Sequence, residues 1–310
     1  MLCQNAPTMN TITHKQSIPL GILYAILSAF FFAAMSVFVK KASPELPTSM
    51  LLFFRFGTSF ILLLPWILTD SSFSLKVAEP GRYILRILAS LLALFLLFYT
   101  IKFIPLTDGL MLNNTAPLFV PIIAWVLVRA TISKKAIIGI VIGFIGVGII
   151  LHPSIAVFKP VSLLALIAGV LASLAIVQMR LISKTSSTKQ MLFYYFLVSA
   201  VISGIFAAIQ WRSPANASLW WYLAGIGLFG TLYQVFATFS YVTAPVRLMS
   251  PFTFLIVVFG ALFDWLIWNN APTWATLGGA LLVIIGSIMT VVFGHKEIKS
   301  NSLKTEGKNT

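Results

Sequence analysis

Acidic residues are scarce in this chain: seven aspartates and glutamates stand against twenty-one lysines and arginines in 310 residues. They are Glu45, Asp70, Glu79, Asp108, Asp264, Glu297 and Glu306, and only Asp264 falls clearly within an apolar block. No paired carboxylates are therefore placed for acid and base chemistry. The three histidines, His14, His152 and His295, lie far apart outside the apolar blocks, and Cys3 is the single cysteine. That inventory gives no metal-ligand spacing and no internal disulfide. A phosphate-cradling G-x-x-x-x-G-K-[ST] loop is also missing, so the chain does not hydrolyse ATP itself. No catalytic residue, metal or cofactor is expected.

Charge of either sign is sparse too. Only 9% of the residues are charged and 59% are hydrophobic, whereas soluble domains carry about 25% charged residues. The apolar residues gather in blocks of roughly twenty, the length that crosses about 30 Å of hydrocarbon as a helix. The spacing predicts ten spans: 19 to 39, 49 to 69, 82 to 103, 109 to 128, 136 to 151, 162 to 182, 191 to 210, 219 to 241, 248 to 268 and 273 to 293. A sheet barrel would instead show short alternating segments. The fold class is all-α integral membrane, with the lipid bilayer as the chain's surroundings.

The net charge of +14 does not point to nucleic acid, because its cations are scattered over short loops rather than gathered on one face. They follow the positive-inside rule. With a cytoplasmic N-terminus, fifteen cations fall on the cytoplasmic side: Lys15, Lys76, Arg82, Arg86, Arg129, Lys134, Lys135, Arg180, Lys184, Lys189, Arg247, Lys296, Lys299, Lys304 and Lys308. Five fall outside: Lys40, Lys41, Lys102, Lys159 and Arg212. Ten spans then put both termini in the cytoplasm. All eight tryptophans sit at or near span ends, as an interfacial aromatic belt requires. Residues 1 to 18 lack the apolar core of a signal peptide, so the first span is expected to be retained. Residues 294 to 310 read as a polar, disordered cytoplasmic tail.

The chain repeats itself. An offset of 140 residues aligns Lys40 with Arg180, "FFRF" at Arg55 with "FYYF" at Tyr195, Gly139 with Gly279 and Gly146 with Gly286. Near the fourth and ninth spans the offset slips to 138. Each copy, 19 to 151 and 162 to 293, carries five spans. Five is odd, so the second copy enters the membrane in the opposite direction. Two inverted five-helix repeats are a common architecture of secondary transporters, with the substrate site near the midplane between halves.

Within each copy, "FFRF", "ILR...LFYTIKFIPL", "NNTAPLF", and "IGIVIGFIGVGIIL" with its partner "LGGALLVIIGSI" resemble the EamA unit of the drug/metabolite transporter superfamily. The resemblance covers residues 19 to 293 and implies an inner-membrane carrier of a small organic metabolite: amino-acid-like, nucleoside- or cofactor-like, or a vitamin. A looser resemblance extends to carriers of S-adenosylmethionine and riboflavin. The sequence departs from the family where many members carry a glutamate before the fifth and tenth spans; here those places hold Ala130 and Asn270. The rival readings are a membrane-embedded enzyme and a lipid-handling or structural membrane protein without a transport cycle.

The candidate substrate residues follow from polarity and helix breaks. In the fourth span, "GLMLNNTAPLFVP", Pro117 frees the carbonyl of Asn113, and in the ninth Pro251 frees that of Arg247. Interrupted segments at corresponding places in two halves point to a transport site, which nominates Asn113 and Asn114. Tyr99, Gln178, Gln234 and Tyr241 add polar groups, with Thr100, Tyr233 and Ser240 beside them. Arg55 is an arginine about 9 Å deep in the second span, where cations generally face a bundle interior or aqueous cavity; snorkelling to the outer surface is the competing reading. An inward Arg55 suits an anionic or zwitterionic solute. Its repeat mate, Tyr195, is uncharged. Asp264, four residues from Trp268, is expected to be solvated at the interface, with ion pairing or proton coupling as the second reading, and Arg86 to anchor the third span. The glycines of the fifth and tenth spans, including the Gly139 and Gly143 pair, let helices approach closely and are assigned to scaffold or to homodimer contact.

Overall fold

The computed structural model describes residues 17–68, 77–129, 134–150, 160–183, 185–243 and 250–306. Cys3, His14, Asp70, Lys76, Ala130, His152, Lys159, Lys184, Arg247 and Lys308 lie outside the described residues. Among the described residues every regular element is helical: α1 (Ile18–Ala42), α2 (Thr48–Leu68), α3 (Pro80–Thr100), α4 (Leu106–Asn113), α5 (Ala116–Val128), α6 (Lys134–Ile150), α7 (Val161–Ile182), α8 (Thr188–Ile209), α9 (Ala217–Thr243), a 3₁₀ turn (Ser250–Phe254), α10 (Leu255–Trp268) and α11 (Trp274–Glu306).

Seven spans are helices of at least eighteen residues and high hydropathy, α4 and α5 together making one of them. Shorter apolar helices over Ile137–Ile149, Phe252–Trp268 and Trp274–Met289 bring the number to ten. Helix is the only form that lets a single segment satisfy its backbone in hydrocarbon. The starts carry familiar local signals. Proline lies in the first turn of α1, α3 and α5, where no N–H partner is lost. At α8 the Ser187 hydroxyl accepts from the N–H of Gln190 at 3.2 Å, closing the N-terminus.

The inverted repeat is visible in the packing. Helices α1 to α6 form the first unit and α7 to α11, with the 3₁₀ turn, the second. Helix α1 packs on α9 and its counterpart α7 packs on α3, while α2 meets its own counterpart α8 and α6 meets α11. Elements that contact their own mates must flank a two-fold axis, here one lying in the membrane plane. The two non-glycine residues with left-handed backbone obey the same symmetry. Arg129 (φ 51°) and Asn269 (φ 54°) end α5 and α10 and stand 140 positions apart. The symmetry is incomplete: α2 lies along α9, whereas its counterpart α8 touches α3 over a shorter stretch.

Seven of the eight tryptophans are exposed at helix ends, as expected for a belt at the two interfaces. The largest buried cluster joins α1, α2, α3, α8, α9 and α10, and a smaller one joins α4 and α5 to α6, α7, α10 and α11. An aromatic ladder zips α1 to α9: Phe31 stacks on Phe229 and Phe236 at 5.7 and 5.5 Å, and Phe38 stacks on Phe229 at 5.3 Å.

Two sequence expectations change here. Helix α11 does not stop near residue 293 but continues to Glu306. After Gly294 the segment has no proline, and extending a helix that is already nucleated adds one hydrogen bond per residue fixed. The glycine faces of α6 and α11 are also spoken for inside the chain. A Cβ on Gly146 would lie 2.6 Å from the carbonyl of Gly279, and one on Gly286 would lie 2.7 Å from the Cα of Gly143. The seam is therefore scaffold between repeats, and these glycines do not present a free face to a second copy. Because the opposing atoms are backbone, they cannot swing aside. Gly286→Val should cost about 2 kcal/mol or more of stability and lower the Tm of the purified protein, whereas Gly278→Ala, which meets nothing within 4 Å, should leave it unchanged or slightly raised; equal Tm for both variants would contradict the seam.

Candidate functional site

Arg55 is 2% exposed, so it faces the interior of the bundle and does not snorkel. Its position follows from α2 packing tightly against α9. There a glycine, Gly230, stands against the Arg55 stem: a Cβ added at that position would overlap Arg55 Cδ and Nε and come to 2.9 Å from Cζ. One turn away Gly227 meets Thr58 in the same manner. The missing side chains make the channel in which the arginine lies.

One guanidinium nitrogen, Nη1, donates to Ser59 Oγ at 2.6 Å. Ser59, on the same face one turn on, donates to the Arg55 carbonyl at 2.9 Å and lies 2.8 Å from Thr231 Oγ1 of α9. Thr231 in turn donates to the Gly227 carbonyl at 2.8 Å. The guanidinium also faces aromatic rings, with Cζ 5.5 Å from the Phe56 centroid and 5.9 Å from that of Phe196. Tyr195 and Tyr233 lie close enough to interact with it electrostatically. Yet Nε has no hydrogen-bond partner among the described residues, and no carboxylate stands against the cation.

A second buried arginine also neighbours Tyr195. Arg86 of α3 is 6% exposed, and its Cζ lies 5.5 Å from the Tyr195 ring centroid. Its Nη1 likewise lacks a partner. Sequence position alone made Arg86 an anchor near a span end. The structure overturns that reading, because the packing of α3 against α7 and α8 turns this face of the helix inward.

The remaining candidates divide. Tyr195 is edge-on to Phe56 at 5.4 Å and belongs with both arginines. Gln234 borders a cavity of about 160 Å³ between α2, α8 and α9, lined also by Leu63, Trp66, Leu192 and Thr238. Gln178 of α7 is 4% exposed with its carbonyl oxygen unpartnered. Tyr99 falls outside the group: it is 38% exposed and stacks along the rim with Phe95 and Phe103 at 6.4 and 5.1 Å, because this face of α3 looks away from the second repeat. Tyr241 lies in the last turn of α9 and Pro251 in the 3₁₀ turn.

The two helix breaks fall at corresponding places. Helix α4 ends at Asn113 and α5 begins at Ala116, with Pro117 in its first turn. In the second unit the 3₁₀ turn Ser250–Phe254 leads into α10 at Leu255; at the offset of 138 that turn corresponds to 112–116, which spans the first break. Side chains close the first break: Asn114 Nδ2 donates to the Leu110 carbonyl at 2.8 Å and Thr115 Oγ1 to that of Leu112 at 2.6 Å. Gly169 of α7 gives it room, since a Cβ there would lie 3.1 Å from the Asn113 carbonyl.

Asp264 departs furthest from expectation. It is 0% exposed and ties three helix ends together. Lys40 Nζ, at the end of α1, lies 3.1 Å from Oδ1, and the N–H and hydroxyl of Thr107, at the start of α4, both donate to Oδ2 at 3.1 Å. Lys40 also stands over the Trp268 ring at 4.6 Å. The interfacial solvation read from sequence gives way to a buried ion pair, because α1 and α4 close over the aspartate. Being the only acidic residue within a span was the available signal.

This arrangement can now be set beside known proteins. The EamA-like transporter family matches residues 19–152 and again 159–292. The chain belongs to that family. It is 27% identical over 274 residues to the pseudopaline exporter CntI of Pseudomonas aeruginosa, covering 86% of this chain and 94% of that one. It is 29% identical over 287 residues to an S-adenosylmethionine uptake transporter of Rickettsia bellii, covering 92% and 97%. A solved structure at 16% identity superposes with a TM-score of 0.63 over 90% of this chain and 99% of that one, a likeness of fold. The EamA-like chain is thus a drug/metabolite-type transporter with multiple membrane spans.

Removing the aspartate from the Lys40 and Asp264 pair leaves a largely buried ammonium unpaired. Asp264→Ala should cost about 3 kcal/mol and lower the Tm, and the apolar double variant Lys40→Met/Asp264→Leu should recover most of the loss. A Tm unchanged in the single variant would show that the pair contributes nothing to holding α1, α4 and α10 together.

Proposed function

We propose that this chain is a secondary transporter that carries a small organic metabolite across the bacterial inner membrane by alternating access of its two inverted repeats, with both termini cytoplasmic. The observation that carries the reading is the pair of helix breaks at corresponding places in α4/α5 and the 3₁₀ turn/α10. Such breaks line substrate paths because freed backbone groups need a protein or aqueous partner.

The incomplete symmetry supports the same reading. Helix α2 is closed on α9 through Gly227, Gly230 and the Ser59 to Thr231 contact, while α8 and α3 meet over less of their length. Exchanging these two packings between the repeats produces the oppositely facing state at little energetic cost, since each unit adopts a packing its counterpart already uses. The cavity of about 160 Å³ is smaller than the roughly 300 Å³ that a metabolite site needs, so in this account the solute enters a more open arrangement. The relatives named for pseudopaline export and S-adenosylmethionine uptake make an organic metabolite the fitting cargo class.

Replacing the single cysteine, Cys3, by serine gives a cysteine-free background in which single cysteines can be placed from 110 to 120 and from 250 to 260. One face of each segment should react with a membrane-impermeant thiol reagent, and the reactive positions should change with the side of addition. Uniform inaccessibility along both segments would remove them from the path.

A further inference from the structure

We infer that Arg86 and Arg55 together form an acid-group recognition site, with Tyr195 as their shared neighbour, and that the solute carries two anionic groups. The inference rests on the transport reading above and extends it to the chemical class of the cargo.

The first observation is electrostatic. Two guanidinium groups, 2% and 6% exposed, stand in the bundle interior, and both interact electrostatically with the Tyr195 phenol, Arg86 from 5.5 Å of its ring centroid. Among the described carboxylates none opposes them: Asp264 is engaged by Lys40, Glu79 by Arg82 at 2.7 Å, Asp108 lies near Lys40, and Glu45 is exposed. Burying an uncompensated cation is costly, and here it is done twice around one tyrosine. A fold that only needed packing would place apolar side chains here.

The second observation is geometric. Each arginine keeps an N–H donor unpartnered, Nε of Arg55 and Nη1 of Arg86, although buried donors are nearly always satisfied. Gly230 makes room for Arg55, and Ser59 fixes its Nη1, so the head group is held with one donor free. A planar guanidinium offers carboxylate or phosphate oxygens a forked set of donors that an ammonium does not. Two such groups sharing one aromatic neighbour fit two acid groups on one small molecule, with Tyr195 against its carbon skeleton.

Removing a structural arginine destabilises a protein, but removing an uncompensated one relieves it, and this separates the two roles without knowledge of the natural solute. Arg86→Met in the full-length protein should raise the ligand-free Tm by about 2–4 °C. Wild type should be stabilised by succinate or glutamate, or, if one acid group is a phosphate, by 3-phosphoglycerate, and not by neutral succinamide. Arg86→Met should lose that shift, and Arg86→Lys should recover less than half of it. A lower ligand-free Tm in Arg86→Met, an equal response to succinamide, no response to any of the acids, or an acid response preserved in Arg86→Met would each overturn the inference. Labelled flux in proteoliposomes keeps the two readings apart. An acid that stabilises the protein but is not carried contradicts transport and leaves the binding site standing; carriage of succinamide that is indifferent to Arg86 does the reverse.

Discussion

The desolvated guanidinium of Arg55 is the constraint around which the centre of this protein is arranged. A cation that deep in hydrocarbon is tolerated only where protein surrounds it and supplies partners. The chain meets the requirement with a glycine at 230 that clears space for the stem, a serine one turn along the same face, a threonine on α9 that joins the serine, and the faces of Phe56 and Phe196. Each of these brings α2, α8 and α9 together. The seam between the repeats is thus built around a charge, and the charge remains without a carboxylate.

Where α1, α4 and α10 meet, the opposite solution is used. Lys40 and Asp264 neutralise each other, and Thr107 supplies the remaining donors. That pair joins α1, α4 and α10 and leaves little charge unbalanced. Among the described residues no anion stands beside Arg55 or Arg86, although this fold pairs a buried aspartate elsewhere, and the contrast supports the proposed acid-group site.

Much of the architecture was legible in the sequence. Block length gave the spans, the 140-residue offset gave the repeat, and an odd number of spans per unit gave the inversion; Pro117 lies in the first turn of α5 and Pro251 in the 3₁₀ turn. Individual side chains were less legible. Depth along a helix can be counted, but the face a residue takes depends on packing with a helix distant in sequence. Arg86 and Tyr99 share α3, and counting alone made the tyrosine the candidate; the contacts with α7 and α8 bury the arginine and leave the tyrosine at the rim. For Asp264 the ion pair was only the second reading for the same reason, because its partners Lys40 and Thr107 are 224 and 157 residues away. The spacing of Arg55 and Ser59, one turn apart, was a local clue to the polar network.

The central claim is that the two interior guanidinium groups hold the acid groups of the solute. Nitrogen-15 resonances of labelled arginine side chains report hydrogen bonding at each guanidinium directly, and the chain has only seven arginines to assign. On addition of a stabilising diacid the account predicts that the Arg55 and Arg86 signals move downfield while the other five stay in place, and that the neutral diamide moves none. Unchanged Arg55 and Arg86 signals under saturating diacid, or movement of the other five alone, would contradict it.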